Sequence, residues 1–467
     1  MKLLRTIVIC GACSVAPALG AQSIEGTWSG VAELKPDSGL PVSLTLAIRR
    51  IQDSLHVWLT LPESRQVRLQ IPSPYSDSAK ASFQGGRLRL EFTPDIGLAF
   101  IGGLGPANEE RIVFDGQLEQ SDRLVGTLRI TRYVSPIVLT RARAPAHREV
   151  PVTFQNPNDS LRLGGTLLLP AGNVRPPVVV FVTGSDPDER NAWRYEAERL
   201  LNAGVGSLLY DKRGVGESSG ASHDLASWDD LAGDLRGAIA LLASRPDLVD
   251  TSRIGVTGQS QGTWIIAKVT ATDPRVRFMV NIAGSGISGA EQETYRTGAL
   301  MRAAGFAESE VARAQDFQRR KFRVARTGLG WQSLDSIMTK LRADSVKWFP
   351  GYGTGAAARS LAVLRLYGVL QFNYEPTPDL ERIRVPTLVL MGQLDRTFPP
   401  AIVIERMRQS LARAGNRCVT TRIIPNATHG LLTVQGYRGV PFRRAINEEF
   451  LDVLTQWVST RSRSRCT

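Results

Sequence analysis

The pentapeptide Gly258-Gln259-Ser260-Gln261-Gly262 constrains the fold of this chain more than any other stretch. It follows the apolar run Arg253-Ile254-Gly255-Val256-Thr257 and precedes a helix-like segment over residues 263–272. The spacing predicts a strand, a sharp turn and a helix, with Ser260 at the turn. Glycines on either side of such a serine let strand and helix backbones approach closely, and the tight turn holds the hydroxyl outward as a nucleophile. A plain Gly-rich turn is the competing reading, in a chain with 43 glycines. The residues downstream decide between them.

A serine hydroxyl is a weak nucleophile and needs a base held in place by an acid, in the chain order serine, acid, histidine for this kind of turn. Only His429 follows Ser260 among the four histidines. It lies in Ile423-Ile424-Pro425-Asn426-Ala427-Thr428-His429-Gly430, a strand-like run breaking into a polar loop. The acid is expected at Asp395, where the apolar run 385–391 ends in Gly392-Gln393-Leu394-Asp395. That puts Asp395 at the carboxyl end of a strand, the side on which open α/β sheets bind ligands. In the chemistry implied, His429 takes the Ser260 proton and Asp395 fixes the imidazole tautomer. The tetrahedral oxyanion needs two donors: the backbone N–H of Gln261, and one from the turn after Val178-Val179-Val180-Phe181-Val182-Thr183. Ser185 is the first choice for the second donor and Gly184 the runner-up.

With these residues in place, the chain resembles secreted bacterial α/β-hydrolases from about Val150 onward. Tyr210-Asp211-Lys212-Arg213-Gly214-Val215-Gly216-Glu217-Ser218 is similar to the D-x-R-G-x-G-x-S turn that precedes the elbow in that superfamily. The resemblance extends to the serine-aminopeptidase-like and acyl-thioesterase-like branches, which share the turn and differ in substrate. It implies an α/β-hydrolase fold with a helical cap and no cofactor or metal. The chain departs from many relatives in having Thr183 where they carry histidine and Thr263 where they carry a second glycine.

Beyond this site, 467 residues exceed one ordinary domain. Residues 22–143 alternate apolar and polar side chains with period two, as in Val42-Ser43-Leu44-Thr45-Leu46 and Leu88-Arg89-Leu90-Glu91-Phe92. That predicts half-buried antiparallel strands forming a small barrel or sandwich. It also resembles the β-rich leader domain found before secreted hydrolases. A Pro/Ala-containing linker is expected over 144–151, then an α/β-hydrolase domain over 152–467. Its strands are read at 178–182, 206–210, 253–257, 277–283, 387–390 and 420–424. Helix-like stretches at 308–326, 331–348 and 356–367 fall in a cap insertion over about 285–384. Trp331, Trp348, Phe349, Tyr352 and Tyr367 are either pocket lining or the cap's own core. His56, His147 and His223 precede or lie apart from the elbow and fit no place in the serine, acid, histidine order.

Residues 1–21 combine Lys2 and Arg5 with an apolar run and a small-residue ending, Ala18-Leu19-Gly20, the pattern of a secretory signal peptide. The run is shorter than the roughly 20 residues of a spanning helix. A lipid anchor is disfavoured, because Cys10 stands where a lipoprotein signal has leucine before Cys13. A periplasmic or secreted location follows, in which Cys418 and Cys466 would be free to form a disulfide. The formal charge of +13 is dispersed arginine. Its densest cluster, Arg319-Arg320-Lys321 with Arg323 and Arg326, reads as a solvated helix face rather than a nucleic-acid site. Peripheral association with an anionic envelope surface is compatible with that charge. The expected activity is cleavage of carboxylic ester or thioester bonds through an acyl-enzyme on Ser260. Short peptides as substrates, and a non-catalytic envelope ligand-binding protein, are the alternatives.

Overall fold

The structure is a computed structural model and describes residues 23–33, 41–51, 54–60, 68–71, 80–92, 112–130, 133–141, 147–172, 174–355, 359–437 and 440–462. The expected signal peptide and Cys466 lie outside them. The chain divides into two compact units, the second beginning after Arg143 apart from short segments.

The first unit is one antiparallel sheet of nine strands: β1 (Gly26–Glu33), β2 (Pro41–Ile51), β3 (Ser54–Thr60), β4 (Arg68–Ile71), β5 (Lys80–Gln84), β6 (Arg87–Phe92), β7 (Ile112–Gln120), β8 (Arg123–Ile130) and β9 (Tyr133–Arg141). Their order, β4-β3-β2-β1-β9-β8-β7-β6-β5, curls into a nearly closed, barrel-like form as β3 approaches β5. Period-two patterning sends every second side chain inward. In β6, Leu88, Leu90 and Phe92 are buried and Arg87 and Arg89 exposed. Trp28, Leu44, Leu46, Val57, Phe114, Leu128 and Leu139 complete the interior. The Trp28 indole would be costly to bury unpaired. It donates to the Ile24 carbonyl at 2.9 Å and carries the Arg141 guanidinium 4.3 Å above its ring.

The second unit opens with a hairpin, β10 (His147–Gln155) and β11 (Arg162–Pro170). Residues 147–151, expected as linker, are therefore strand. The pairing of Val150 with Leu167 and of Val152 with Gly165 overrides the charged and proline-containing local sequence. Next come β12 (Val178–Val182), α1 (Arg194–Asn202), β13 (Gly206–Tyr210), α2 (Trp228–Ala243), β14 (Ile254–Gln259), α3 (Gln261–Thr270) and β15 (Val276–Ile282). The cap segment contributes α4 (Gly289–Ala303), α5 (Glu308–Thr327), α6 (Trp331–Ala343), α7 (Leu361–Tyr367), a π-helical turn Gly368–Phe372, and α8 (Thr377–Leu380). The sheet resumes with β16 (Thr387–Gly392), α9 (Pro400–Arg413) and β17 (Val419–Ile424). A separate hairpin of β18 (Leu432–Tyr437) and β19 (Val440–Ile446) precedes α10 (Glu448–Arg461).

The sheet order is β10-β11-β13-β12-β14-β15-β16-β17, parallel from β13 to β17. Its inner strands β12, β13 and β16 are buried along their whole length because both faces are covered, whereas the edge strands β10 and β17 carry exposed polar residues. Val178, Val180 and Val182 of β12 join a core with α2, α3 and α9, while Val179 and Phe181 join another with α1 and α10. The cap has a third core of its own, built on Met301, Phe317, Leu334, Met338, Trp348, Phe349 and Leu364. Among the described residues no helix is long and apolar enough to cross a membrane.

Candidate functional site

Ser260 sits between the end of β14 and the start of α3 with φ 53° and ψ −118°. A non-glycine residue holds such a backbone only where its surroundings dictate it. The flanking glycines supply that constraint. A Cβ on Gly258 would stand 2.4 Å from the Gly262 carbonyl oxygen, and one on Gly262 would stand 2.3 Å from the Val182 oxygen. Strand and helix therefore close on each other with no room for a side chain, and Ser260 projects from the crease.

His429, in the loop between β17 and β18, meets it. Its Nε2 lies 3.1 Å from Ser260 Oγ, and its Nδ1 lies 2.9 Å from Asp395 Oδ2. Asp395, in the loop after β16, has a fully buried carboxylate. Its other oxygen accepts the backbone N–H groups of Thr397 at 2.7 Å and Phe398 at 2.9 Å, so the charge is met on both sides. The buried Phe398 ring stacks on the His429 imidazole, 5.7 Å between centroids and 15° from parallel. Gln259 Nε2 approaches His429 Nε2 at 3.4 Å. From the cap, Tyr295 of α4 donates its hydroxyl to the Asp395 carbonyl at 3.1 Å, and Gln292 donates to the Thr397 carbonyl at 3.1 Å. Burial, then the Asp395 charge, raises the Tyr295 phenol above its ordinary range, which keeps it a donor. The structure thus brings together the three side chains singled out from sequence, although 135 residues separate the first two along the chain.

Gly184 follows β12 and lies against the elbow: a Cβ built on it would be 3.4 Å from Ser260 Cβ. Ser185 is exposed, and Gln261 is the buried first residue of α3, where the helix dipole favours negative charge. The polar underside of this loop was not singled out from sequence. The buried Lys212 donates to the Gly184 carbonyl, to the Asp186 carbonyl at 3.1 Å and to Gln261 Oε1 at 3.4 Å. His223 is likewise buried, with Nε2 2.7 Å from the Ser185 carbonyl. Burial pulls the Lys212 ammonium down to about 8, against the attraction of Asp188, Asp186, Asp224 and Asp234. Burial and then the Lys212 charge lower His223 as well.

The D-x-R-G-x-G-x-S turn that carries Lys212 is a brace. Asp211 accepts the Arg190 backbone N–H at 2.7 Å, its guanidinium Nε at 3.0 Å, and the Glu217 N–H at 3.0 Å. Ser218 donates to the Asp211 carbonyl at 2.6 Å, and Arg213 pairs with Asp234 through two bonds of 2.8 and 2.7 Å.

Three other expectations bear on residues away from this array. Trp348 and Phe349 are buried in the cap core, and Trp331 and Tyr352 pack against it, so these four are the cap's interior. The Arg319-Arg320-Lys321 cluster is a solvated face only in part. Lys321 is buried and donates to the Gly353 carbonyl at 2.9 Å, while Arg319, Arg320, Arg323 and Arg326 are exposed. Cys418 is disulfide-bonded, and its expected partner, Cys466, lies outside the described residues.

A mostly parallel sheet covered on both faces, with a serine at a strand-to-helix crease and its acid and histidine on later loops, defines the α/β-hydrolase class of protein. The alpha/beta hydrolase family model matches residues 179–438, more than half the chain, and the chain belongs to that family. It is 22% identical over 239 residues to an uncharacterized 31.7 kDa Escherichia coli protein from the traX-finO intergenic region, covering 50% of this chain and 78% of that one. It is 26% identical over 133 residues to the quorum-quenching protein AidA of Acinetobacter baumannii, covering 28% of this chain and 43% of that protein, less than half its length. Among solved structures, an esterase of Pyrococcus furiosus aligns at 14% identity and TM-score 0.44, over 70% of this chain and 95% of that one. Est1E of Butyrivibrio proteoclasticus, with ferulic acid bound, aligns at 15% identity and TM-score 0.40, over 66% and 96%.

Proposed function

We propose that this protein is a serine hydrolase that cleaves small carboxylic esters or thioesters through an acyl-enzyme on Ser260. The observation that carries the reading is the continuous array from Ser260 Oγ through His429 to the buried Asp395, with bonds of 3.1 and 2.9 Å. His429 Nε2 accepts the Ser260 proton as Oγ attacks the carbonyl carbon, and the carbonyl oxygen becomes the oxyanion. Collapse breaks the bond to the leaving alcohol or thiol, which takes the proton from His429. Water then attacks the acyl-enzyme, His429 again accepting a proton, and release of the acid restores Ser260. Asp395 holds Nδ1–H and stabilises the imidazolium at each stage. Backbone N–H groups of Gln261 and Ser185 are the proposed oxyanion donors.

The test is a panel of p-nitrophenyl esters, acyl thioesters and aminoacyl-naphthylamides, run with fluorophosphonate labelling mapped by mass spectrometry. Label on Ser260 and turnover of esters or thioesters are expected. Faster cleavage of the naphthylamides would assign a peptidase, and no label with no turnover would leave a binding protein. We also propose that the protein works outside the cytoplasm, a reading supported by the signal-like residues 1–21 and the disulfide at Cys418.

A further inference from the structure

We propose that Lys212 is a positioning residue that sets the direction of the second oxyanion donor, with His223 holding the next peptide of the same loop. The inference rests on the serine-hydrolase reading above and goes beyond it by assigning two side chains outside the Ser260, Asp395, His429 array.

The argument begins with the peptide group. In a trans peptide the C=O of one residue and the N–H of the next lie in one plane and point in opposite directions. Whatever holds the Gly184 carbonyl therefore aims the Ser185 N–H, and whatever holds the Ser185 carbonyl aims the Asp186 N–H. Lys212 takes the Gly184 and Asp186 carbonyls, and His223 takes the Ser185 carbonyl between them at 2.7 Å. Three successive carbonyls are thus bound by two side chains, in a loop that leaves β12 with no helix or ladder of its own until Arg190. Gly184 packs against Ser260, so this is the stretch of backbone beside the nucleophile. The Ser185 N–H is turned away from the ammonium. Lys212 also reaches Gln261 Oε1 at 3.4 Å, tying the residue that opens α3 to the same anchor. One ammonium thus touches the backbone beside one proposed oxyanion donor and the side chain of the residue that supplies the other.

A lysine is suited to this because it carries three donors on one atom and no acceptor. It can hold two carbonyls and an amide oxygen together without presenting a competing acceptor to the oxyanion. Its position in the fold is secured from both sides, since Asp211 and Arg213, its chain neighbours, are each locked into the braced turn. His223 enters from the short 3-10 turn His223–Leu225, whose Ser222 cap accepts the Asp224 N–H.

The experiment compares parent, Lys212→Met, Lys212→Arg, His223→Ala, His223→Gln and Ser260→Ala on one activated ester and its thionoester. Sulfur in the oxyanion position is a poor hydrogen-bond acceptor, so the oxygen-to-sulfur rate ratio reports the donors directly. Lys212→Met is expected to lower kcat on the order of 10²-fold, the scale of losing one oxyanion donor. KM should hold, and the oxygen-to-sulfur ratio should shrink with kcat, a ratio that a loss of stability alone would not move. Lys212→Arg and His223→Gln, which keep a donor, should recover part of each loss. A Lys212→Met enzyme that keeps the parent kcat and the parent oxygen-to-sulfur ratio overturns the proposal, while Ser260→Ala, still inactive, leaves the hydrolase reading standing. If Ser260→Ala keeps the parent rate, it is the hydrolase reading that fails. Should Lys212→Met not fold, Lys212→Gln, too short to span both carbonyls, decides: a lowered kcat with a reduced oxygen-to-sulfur ratio supports the proposal, and parent kcat with the parent ratio overturns it.

Discussion

The elbow and the cap belong to the same compact unit and are built in opposite ways. At the elbow, position is set by backbone: Gly258 and Gly262 admit no side chain, and Ser260 takes a left-handed φ. In the cap, position is set by side chains: Phe317, Trp348 and Phe349 meet edge to face or tilted, with centroids 5.5 to 6.3 Å apart, around an apolar interior. The lesson is that the placement of Ser260 depends on geometry that a single methyl group would spoil. The cap depends instead on volume and contact, which tolerate exchange of one apolar group for another.

Four changes would break or sharpen this contrast. Ser260→Ala should lower kcat about 10⁶-fold, as removal of a nucleophile does in other triad enzymes, with the unfolding curve unmoved; steady-state kinetics and thermal unfolding check both halves. Asp395→Asn should cost about 10⁴-fold in kcat by favouring the wrong imidazole tautomer. A rate within tenfold of the parent would remove Asp395 from the proposed array. Trp348→Ala, by contrast, should strike stability, at about 3–5 kcal/mol for a buried aromatic truncated to alanine. On a short ester its kcat should stay near the parent value, and a collapse of kcat in the folded variant would tie the cap interior to the chemistry.

The smallest effect concerns Lys212. Its folded value of about 8 lies below the 10.5 of a free lysine. Between those two pH values the unfolded chain binds the proton that the folded chain has lost, so stability gains with rising pH, by about 1.4 kcal/mol per unit at most. Below pH 8 both states are charged and the slope vanishes. Denaturation of parent and Lys212→Met at pH 7, 8, 9 and 10 should show the difference in stability moving in the parent's favour across that window alone.

Much of the α/β unit is legible in the sequence because a strand buried on both faces has to be apolar throughout. The runs at 178–182 and 206–210 coincide with β12 and β13, and β16 and β17 start within one residue of their expected positions. The sequence over 147–151 does not disclose its strand, since Pro151 and the charged residues before it suit an edge that only the pairing with β11 defines. The hairpin of β18 and β19 is also missed, because Gly436, Pro441 and two arginines interrupt its alternation. Ser260, Asp395 and His429 can be found because the order of types along the chain is itself informative. Lys212 and His223 cannot be found that way. The contacts that matter are with the backbone carbonyls of Gly184, Ser185 and Asp186, a group that every residue has, so no pattern of side-chain types marks them. The cap aromatics are ambiguous for a related reason: helical spacing states which residues share a face, and not whether that face meets a neighbour helix or a substrate.

The bonds from α4 to the acid loop have a mechanical consequence. Tyr295 and Gln292 hold the carbonyls of Asp395 and Thr397, and Glu291 of the same helix pairs with Arg406 of α9 at 2.8 Å. The first helix of the cap is thereby tied to the loop after β16 and to α9. Any displacement of α4 would therefore pull on the backbone of the loop that carries Asp395, and α5, bonded to α4 through Gln315 and Gln318, would move with it.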